Sequence, residues 1–311
     1  MTRILVTGAG GFIGAHIVAR FAADPAFDVV RVLHQFAPPG PRGMTTTKAD
    51  LTNAEESGGL IRTWKPDIVV HAAGRAGVSE ADIRRINEGA GRLLIENVAR
   101  EAPRAHMIAL GSAAEYGPPT DGQPMSEDHP CTPRSAYGRA KLAVTEDAME
   151  HTRRGDIRAT VLRLFNVVGP GVGKHLPLGA FFDRLIRSDR RHQRAVVQMG
   201  PTDFVRDFVA VDDVVRAVER VVTGSIAGEV INVCSGKGRT LRELLMQTAA
   251  LAGIEVAIES STGQAVTGDQ PIIGDPGKCR ALLGFVPSAD LDAALLAAWM
   301  QVMPTSAKGN A

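Results

Sequence analysis

The chain has 311 residues, 44% hydrophobic and 22% charged, with a formal net charge of +1. That length can bury a sizeable core in one large domain or two intimate ones, and the near-neutral charge gives no electrostatic reason to expect nucleic acid or a membrane surface as partner. Three widely and irregularly spaced cysteines (Cys131, Cys234, Cys279) make neither a disulfide framework nor a zinc site, so no metal is expected and a reducing cytoplasm suits the chain.

Short apolar runs alternate with helical patterns, the mark of a parallel sheet wound with helices. Arg3–Thr7 reads as the first strand, and its helix follows from Gly11 to about Ala23. The apolar start Ile4-Leu5-Val6 runs straight into a glycine turn, so it reads as a strand rather than a signal peptide, and no 18-residue apolar run is present. The turn, Thr7-Gly8-Ala9-Gly10-Gly11-Phe12-Ile13-Gly14, has the spacing Gly8-x-x-Gly11-x-x-Gly14. Glycine there permits a tight turn and lets backbone N–H groups approach a pyrophosphate at the helix N-terminus. A glycine triplet alone could be a plain strand–helix turn; its place at the first strand of a βαβ unit favours a dinucleotide.

Val29–Leu33 reads as the second strand and ends at Leu33-His34-Gln35, with no Asp or Glu from Val29 to Ala49. A carboxylate there would accept from the ribose 2′-hydroxyl of NAD and repel a 2′-phosphate. Its absence, with Arg31 and Arg42 close in sequence, leans toward NADP and leaves NAD open. Asp67–His71 reads as the fourth strand, with His71 a packed strand-end histidine, and His106–Ser112 as the fifth.

Thr160–Phe165 is the sixth strand, and the helix before it carries Ser135-Ala136-Tyr137-Gly138-Arg139-Ala140-Lys141. Residues four apart share a helix face, so the Lys141 ammonium can lie beside the Tyr137 phenol. A nearby cation favours phenolate over the ordinary value of about 10, which makes a tyrosine a usable general acid/base. An exposed helical pair is the bland reading of any Y-x-x-x-K. Downstream of the glycine turn and Ser112, the catalytic reading is preferred.

From Asn166 the texture changes to loops rich in Gly and Pro, a basic stretch from Arg184 to Arg194 and a short helix from Val211 to Val222. Asp212-Asp213 opens that helix, where the dipole favours acids, and reads as structural. The expected division is a cofactor domain at 1–165 and a substrate domain at 166–311, with later strands returning to the first sheet. Thr305–Ala311 reads as a frayed tail.

These motifs resemble the extended short-chain dehydrogenases/reductases, the NAD-dependent epimerase/dehydratase family of nucleotide-sugar epimerases, dehydratases and reductases, from Thr2 to about Gln301. The resemblance implies an α/β fold: a Rossmann doubly wound parallel sheet with a smaller α/β substrate-binding C-terminal domain. It implies that Gly8, Gly11, Phe12, Ile13, Gly14 and His34 bind the cofactor, that Asp50-Leu51 touches the adenine, and that Ala72-Ala73-Gly74 forms a small-residue turn over it.

Gly111-Ser112-Ala113-Ala114-Glu115-Tyr116-Gly117 resembles the family's Ser/Thr-x-x-x-Tyr-Gly element. By that resemblance the Ser112 hydroxyl bonds the substrate oxygen, Tyr137 moves the hydroxyl proton, and Lys141 tunes it and holds the nicotinamide ribose. Ala113 and Ala114 stand where the 4,6-dehydratases carry acidic or hydroxyl side chains, which disfavours dehydration. The Cys that fucose-nucleotide reductase/epimerases place at Ala114 is absent too.

Arg163-Leu164-Phe165-Asn166-Val167-Val168-Gly169-Pro170-Gly171 resembles the R-x-x-N-V-Y-G-P-G element, with Val168 in place of Tyr, and implies that Asn166 bonds the sugar nucleotide. Arg206-Asp207-Phe208-Val209 resembles the R-D-F/Y-V/I element, which makes Arg206 a clamp on the substrate diphosphate rather than a surface ion pair. His175, in Gly173-Lys174-His175-Leu176-Pro177, is either a donor to a sugar hydroxyl or an incidental loop residue. Gly228–Gly236, Gly274-Asp275 and Leu283-Gly284-Phe285-x-Pro287 are most similar to reductases of GDP-4-keto-6-deoxymannose; the Arg-Pro pair of many relatives is replaced around Val266-Thr267-Gly268-Asp269.

The implied function is an NAD(P)-dependent oxidoreductase acting on a nucleotide-diphosphate sugar, foremost a 4-keto-hexose reductase. A 4-epimerase with retained NAD, a reductase of a non-sugar ketone, and a non-catalytic NAD(P)-binding sensor are the alternatives; such sensors usually lose the Tyr or the Lys. A cytoplasmic homodimer is implied through helices at Asn87–Arg100 and Ala136–Glu150, with Leu93, Leu94, Val98, Leu142 and Val144 as interface positions.

Overall fold

Val, Ile and Leu fill the middle of each central strand because both faces of the sheet are covered. The computed structural model describes residues 1–34, 44–119, 122–188, 195–260 and 270–303. In chain order, β1 (Thr2–Thr7) leads into α1 (Phe12–Ala22), then β2 (Phe27–Leu33), β3 (Thr45–Lys48), α2 (Ala54–Trp64) and β4 (Ile68–His71). A short α3 (Glu80–Ile83) runs through a π-helical segment (Arg84–Gly89) into α4 (Ala90–Glu101), followed by β5 (His106–Ser112), α5 (Ala136–Arg154) and β6 (Arg158–Leu164). The remainder adds β7 (Asn166–Val168), α6 (Pro177–Arg187), β8 (Ala195–Met199), β9 (Val205–Ala210), α7 (Val211–Gly224) and β10 (Glu229–Val233). It closes with β11 (Gly238–Thr240), α8 (Leu241–Leu251), β12 (Val256–Ser260), α9 (Gly277–Leu283) and α10 (Asp292–Val302).

Seven strands form one parallel sheet in the order β10-β6-β5-β4-β1-β2-β3. The order reverses between β1 and β4, and in open α/β sheets that crevice is where ligands bind. One face packs on α1, α7 and α9 through Ile17, Phe21, Val214, Val218 and Leu283; the other packs on α2, α4 and α5 through Leu60, Leu94, Ile95, Val98 and Val144. A second core, built from α6, α8 and α10 with β8 and β12, centres on Phe181, Phe182 and Trp299; the Phe182 and Trp299 rings meet edge-on at 5.6 Å. Strand β10, from the later part of the chain, pairs with β6 along Glu229–Val233 and borders the main sheet.

Two expectations change here. Leu94, Val98 and Val144 are buried against the sheet, so of the five proposed interface positions only Leu93 and Leu142 stay partly exposed. Gly91 explains the tight fit of the two helices, since a Cβ there would lie 2.6 Å from Val144 Cγ2. Arg31 is buried within the sheet and its Nη1 donates to Thr46 Oγ1 of the neighbouring strand at 3.5 Å, so it is a strand-pairing residue rather than a phosphate ligand. Gln35, Arg42, the end of the basic stretch, Val266–Asp269 and Thr305–Ala311 lie outside the described residues.

Candidate active site

Helix α1 begins on Gly11 with no side-chain cap and no acid in its first turn, whereas α2 is capped by Asn53. The first amides of α1 are therefore left to an anion. Gly8, at φ +65°, sits so close to the end of β4 that a Cβ would lie 2.6 Å from the Ala73 nitrogen, and a Cβ on Gly14 would lie 2.2 Å from the Gly8 oxygen. Only glycine lets strand, helix and the β4 turn close up here.

Two cavities flank this turn. One, of about 420 Å³, is lined by Gly8, Leu33, His34, Asp50, Leu51, Thr52, Ala73, Gly74, Arg75 and Arg85. The other, of about 550 Å³, is lined by Phe12, Ile13, Ser112, Ala113, Ala114, Tyr137, Asn166 and Arg206 among others. The glycine cradle with a cavity on each side fits an elongated dinucleotide, its adenosine in the smaller space, its pyrophosphate on the turn and its nicotinamide in the larger. Ala72 lines neither cavity and packs behind Gly8.

Strand β2 ends without a carboxylate, but β3 delivers one nearby: Asp50 Oδ2 lies 3.6 Å from His34 Nε2. Hydrogen bonds from Thr52, with help from His34, hold the Asp50 carboxyl below the usual range. Asn87, in the π segment, clamps the β4 turn by accepting from the Arg75 nitrogen at 3.0 Å and donating to the Arg75 oxygen at 2.8 Å. Nothing local in the sequence marks Asn87 for that task.

Ser135 caps α5 by accepting from the Gly138 nitrogen at 3.0 Å, which fixes the start of the helix. A Cβ on Gly138 would lie 2.2 Å from the Ala114 oxygen, so α5 presses directly on the turn that follows Ser112. Tyr137 and Ser112 thereby share the larger cavity. Lys141 is nearly buried, its Nζ 5.9 Å from the Tyr137 ring centroid and donating to the Leu110 oxygen at 2.8 Å.

Beneath Ser112 lies an ion pair. Glu115 Oε2 accepts from Arg163 Nε at 2.8 Å and from Thr145 Oγ1 at 2.9 Å, while Oε1 accepts from the Ser112 nitrogen at 2.7 Å. Both side chains are nearly inaccessible, at 0% and 5%. Arg163 also stacks 4.5 Å above the Tyr116 ring. Burial pushes the Tyr116 hydroxyl up to about 12, and it donates to Asn232 Oδ1 at 2.7 Å. The sequence signal for Glu115 is the capping-box spacing Ser112-x-x-Glu115.

His71 is fully buried and bonded to Thr7 Oγ1 at 2.8 Å; burial, then Lys141, bring it down to about 3. It is neutral packing, as its strand-end place suggested. Asn166 donates from Nδ2 to the Asp207 oxygen at 2.8 Å, and the Arg206 guanidinium lies 4.8 Å over Phe204. The Asp207 carboxylate accepts from the Ser235 nitrogen and hydroxyl and from the Gly236 nitrogen, which anchors the strand holding Arg206. Asp213 accepts from the Ser288 nitrogen at 2.9 Å, a structural use of the first turn of α7. Of the two readings of His175, its place matches the incidental loop residue and not the sugar donor: it is exposed, folds over Gly173 and lines neither cavity, while Leu176 lines the larger one.

A family model described as the NAD dependent epimerase/dehydratase family matches residues 4–234. The chain is 32% identical over 305 residues to a dTDP-6-deoxy-L-talose 4-dehydrogenase (NAD(P)(+)) of Kitasatospora kifunensis, covering 96% of this chain and 94% of that one. It is 28% identical to the GDP-6-deoxy-D-mannose reductase of Pseudomonas aeruginosa, over 95% of each chain. The solved UDP-glucose 4-epimerase of Thermotoga maritima with UDP-glucose superposes with a TM-score of 0.83 at 25% identity, covering 96% of this chain and 98% of that one.

Proposed function

The chain belongs to the NAD dependent epimerase/dehydratase family, and on that premise we propose that it is a reductase of a 4-keto-hexose carried on a nucleoside diphosphate. It is an NAD(P)-dependent enzyme of nucleotide-sugar metabolism. The observation that carries hydride chemistry is the shared cavity of Ser112 and Tyr137, with Lys141 beside the phenol. Two methyl groups, Ala113 and Ala114, stand where dehydratases carry acidic or hydroxyl side chains, and the missing carboxylate at the end of β2 inclines the choice to the reductase.

A nicotinamide dinucleotide held by the glycine turn and the two cavities would supply hydride to the sugar carbonyl carbon. The Tyr137 hydroxyl gives its proton to the oxygen that becomes an alkoxide, and Ser112 donates a hydrogen bond to that same oxygen. Lys141, fixed on the Leu110 carbonyl, keeps a cation beside the phenol as the proton leaves. Arg206 and Asn166, which line the same cavity, hold the diphosphate and sugar. The intact Tyr137 and Lys141 weigh against a non-catalytic sensor. The Asp50 carboxylate beside His34 gives the retained-NAD epimerase its support, since it supplies negative charge near the end of β2.

Among the described residues, no helix is long and apolar enough to cross a membrane. The proposal includes a cytoplasmic homodimer, for which Leu93 and Leu142 are the candidate contacts.

The test incubates the protein with NADPH and, in turn, GDP-, dTDP- and UDP-linked 4-keto-6-deoxyhexoses. One NADPH consumed per sugar reduced supports the reductase. Interconversion of UDP-glucose and UDP-galactose without added cofactor, and no NADPH consumption, overturns it in favour of the epimerase.

A further inference from the structure

We propose that Glu115, held by Arg163, is a positioning residue that fixes the backbone of Ser112 and so aims its hydroxyl at the reacting oxygen. The inference rests on the reading of Ser112 given above.

The carboxylate of Glu115 joins three elements at once: the end of β5 through the Ser112 nitrogen, α5 through Thr145, and β6 through Arg163. Thr145 lies one turn beyond Lys141 and two beyond Tyr137, so one carboxylate ties Ser112 to the helix of both partners. Space is cleared for it: a Cβ on Gly111 would fall 2.6 Å from Glu115 Oε1. The Ser112 hydroxyl accepts from the Ala114 nitrogen at 3.2 Å, leaving its proton free to donate into the cavity.

A buried ion pair is a poor source of stability, because desolvating both charges offsets their attraction. Specifying one geometry is the better account of its presence here. All three groups facing Glu115 are used as donors: an amide N–H, a hydroxyl and a guanidinium N–H. Only a carboxylate accepts on both of its oxygens. A glutamine of the same shape has one acceptor and one NH₂. The charged guanidinium takes the oxygen, which turns the NH₂ toward the Ser112 N–H, donor against donor, and pushes the turn away.

The experiment compares Glu115→Gln, Ser112→Ala, the double variant of these two, and E115M/R163M, which removes both charges so that neither is left buried alone. Glu115→Gln should lower kcat about tenfold to a hundredfold, with KM for the sugar nucleotide and Kd for NADPH within about threefold of wild type. On the Ser112→Ala background it should cost no more than about a further twofold, because both changes act through one hydroxyl. Independently of any substrate, amide hydrogen exchange in E115M/R163M should accelerate at least about tenfold at Ser112 while the central strands stay protected.

Unchanged exchange at Ser112, additive losses in the double variant, or full turnover by Glu115→Gln when Ser112→Ala is slow would each overturn the positioning role. A Ser112→Ala enzyme with full turnover, or a wild type that turns over none of the probes, overturns the proposed reaction instead, and the exchange measurement then decides the positioning alone.

Discussion

Lys141 donates from Nζ to the carbonyl oxygen of Leu110 at 2.8 Å, which ties the helix that carries Tyr137 to the strand that ends on Ser112. Lys141 is only 8% exposed, so its ammonium is a fixed charge rather than a mobile surface cation. Through this one contact the α5 face that carries Tyr137 and Lys141 is fixed against the strand that leads to Ser112.

Tyr137→Phe should lower turnover by about a hundredfold or more, the contribution usual for a positioned acid/base. The Tyr137 ring is only partly buried, so melting temperature should stay at the wild-type value. Steady-state kinetics with the keto-sugar probes check this; near-full activity in the variant would remove Tyr137 from the mechanism.

His34→Asp should move cofactor preference toward NAD. The side chain is half-exposed at the end of β2, and a second carboxylate beside Asp50 would repel a 2′-phosphate. A shift of about tenfold in the NADP/NAD affinity ratio corresponds to one such unfavourable contact. Titration of both cofactors by fluorescence decides it, and an unchanged ratio would place the 2′-position away from His34.

The glycine turn, the Tyr137–Lys141 spacing and the parallel character of the main sheet were all legible because each is written in local pattern; the order of its strands was not. Strand β3, Thr45–Lys48, carries no apolar run and is recognisable only by its pairing with β2. The Glu115–Arg163 pair joins residues far apart in sequence, so the capping-box spacing betrays one partner and not the other. The five helix positions read as an interface were apolar enough for either the core or a partner; burial in the core cluster that includes Met107 and Val161 decided three of them. His175 was ambiguous because loop direction has no period to read.

Gly138→Ala should loosen the site from beneath. The added Cβ meets the Ala114 carbonyl and Pro133, both poorly able to move. Overpacking of this kind costs about 1–3 kcal/mol, and the displaced first turn of α5 should lower kcat as well. Thermal unfolding and turnover measured together test it; a variant unchanged in both would mean that the helix shifts without consequence.

Stability should fall as the solution is acidified below about pH 6.5, the ordinary histidine value. Burial holds His71 down to about 3, with Lys141 adding to the effect, and His106 down to about 4, with Arg158 adding. The unfolded chain therefore binds protons in this window that the native chain refuses. Each histidine then contributes up to about 1.4 kcal/mol per pH unit, over a narrower range for His106, whose shift is the smaller. Above about pH 6.5 the contribution is complete and constant. Denaturant unfolding at pH 7.5, 5.5 and 4.5 measures the slope, and His106→Gln should reduce it; a flat profile contradicts the assignment.

Light scattering at micromolar concentration should give the mass of two chains. Leu142→Glu, at a partly exposed position on α5, should return a monomer of unchanged melting temperature. A monomeric wild type removes the dimer.

Strand β10 places the edge of the first sheet in the hands of the later sequence. During synthesis, β6 is made long before its outer neighbour, and its hydrogen-bonding groups stay open until residue 233 has left the ribosome. An apolar strand with an unpaired edge is a template for wrong pairing. A chain cut after residue 165 would carry that edge permanently, so it should aggregate rather than yield a free-standing nucleotide-binding half.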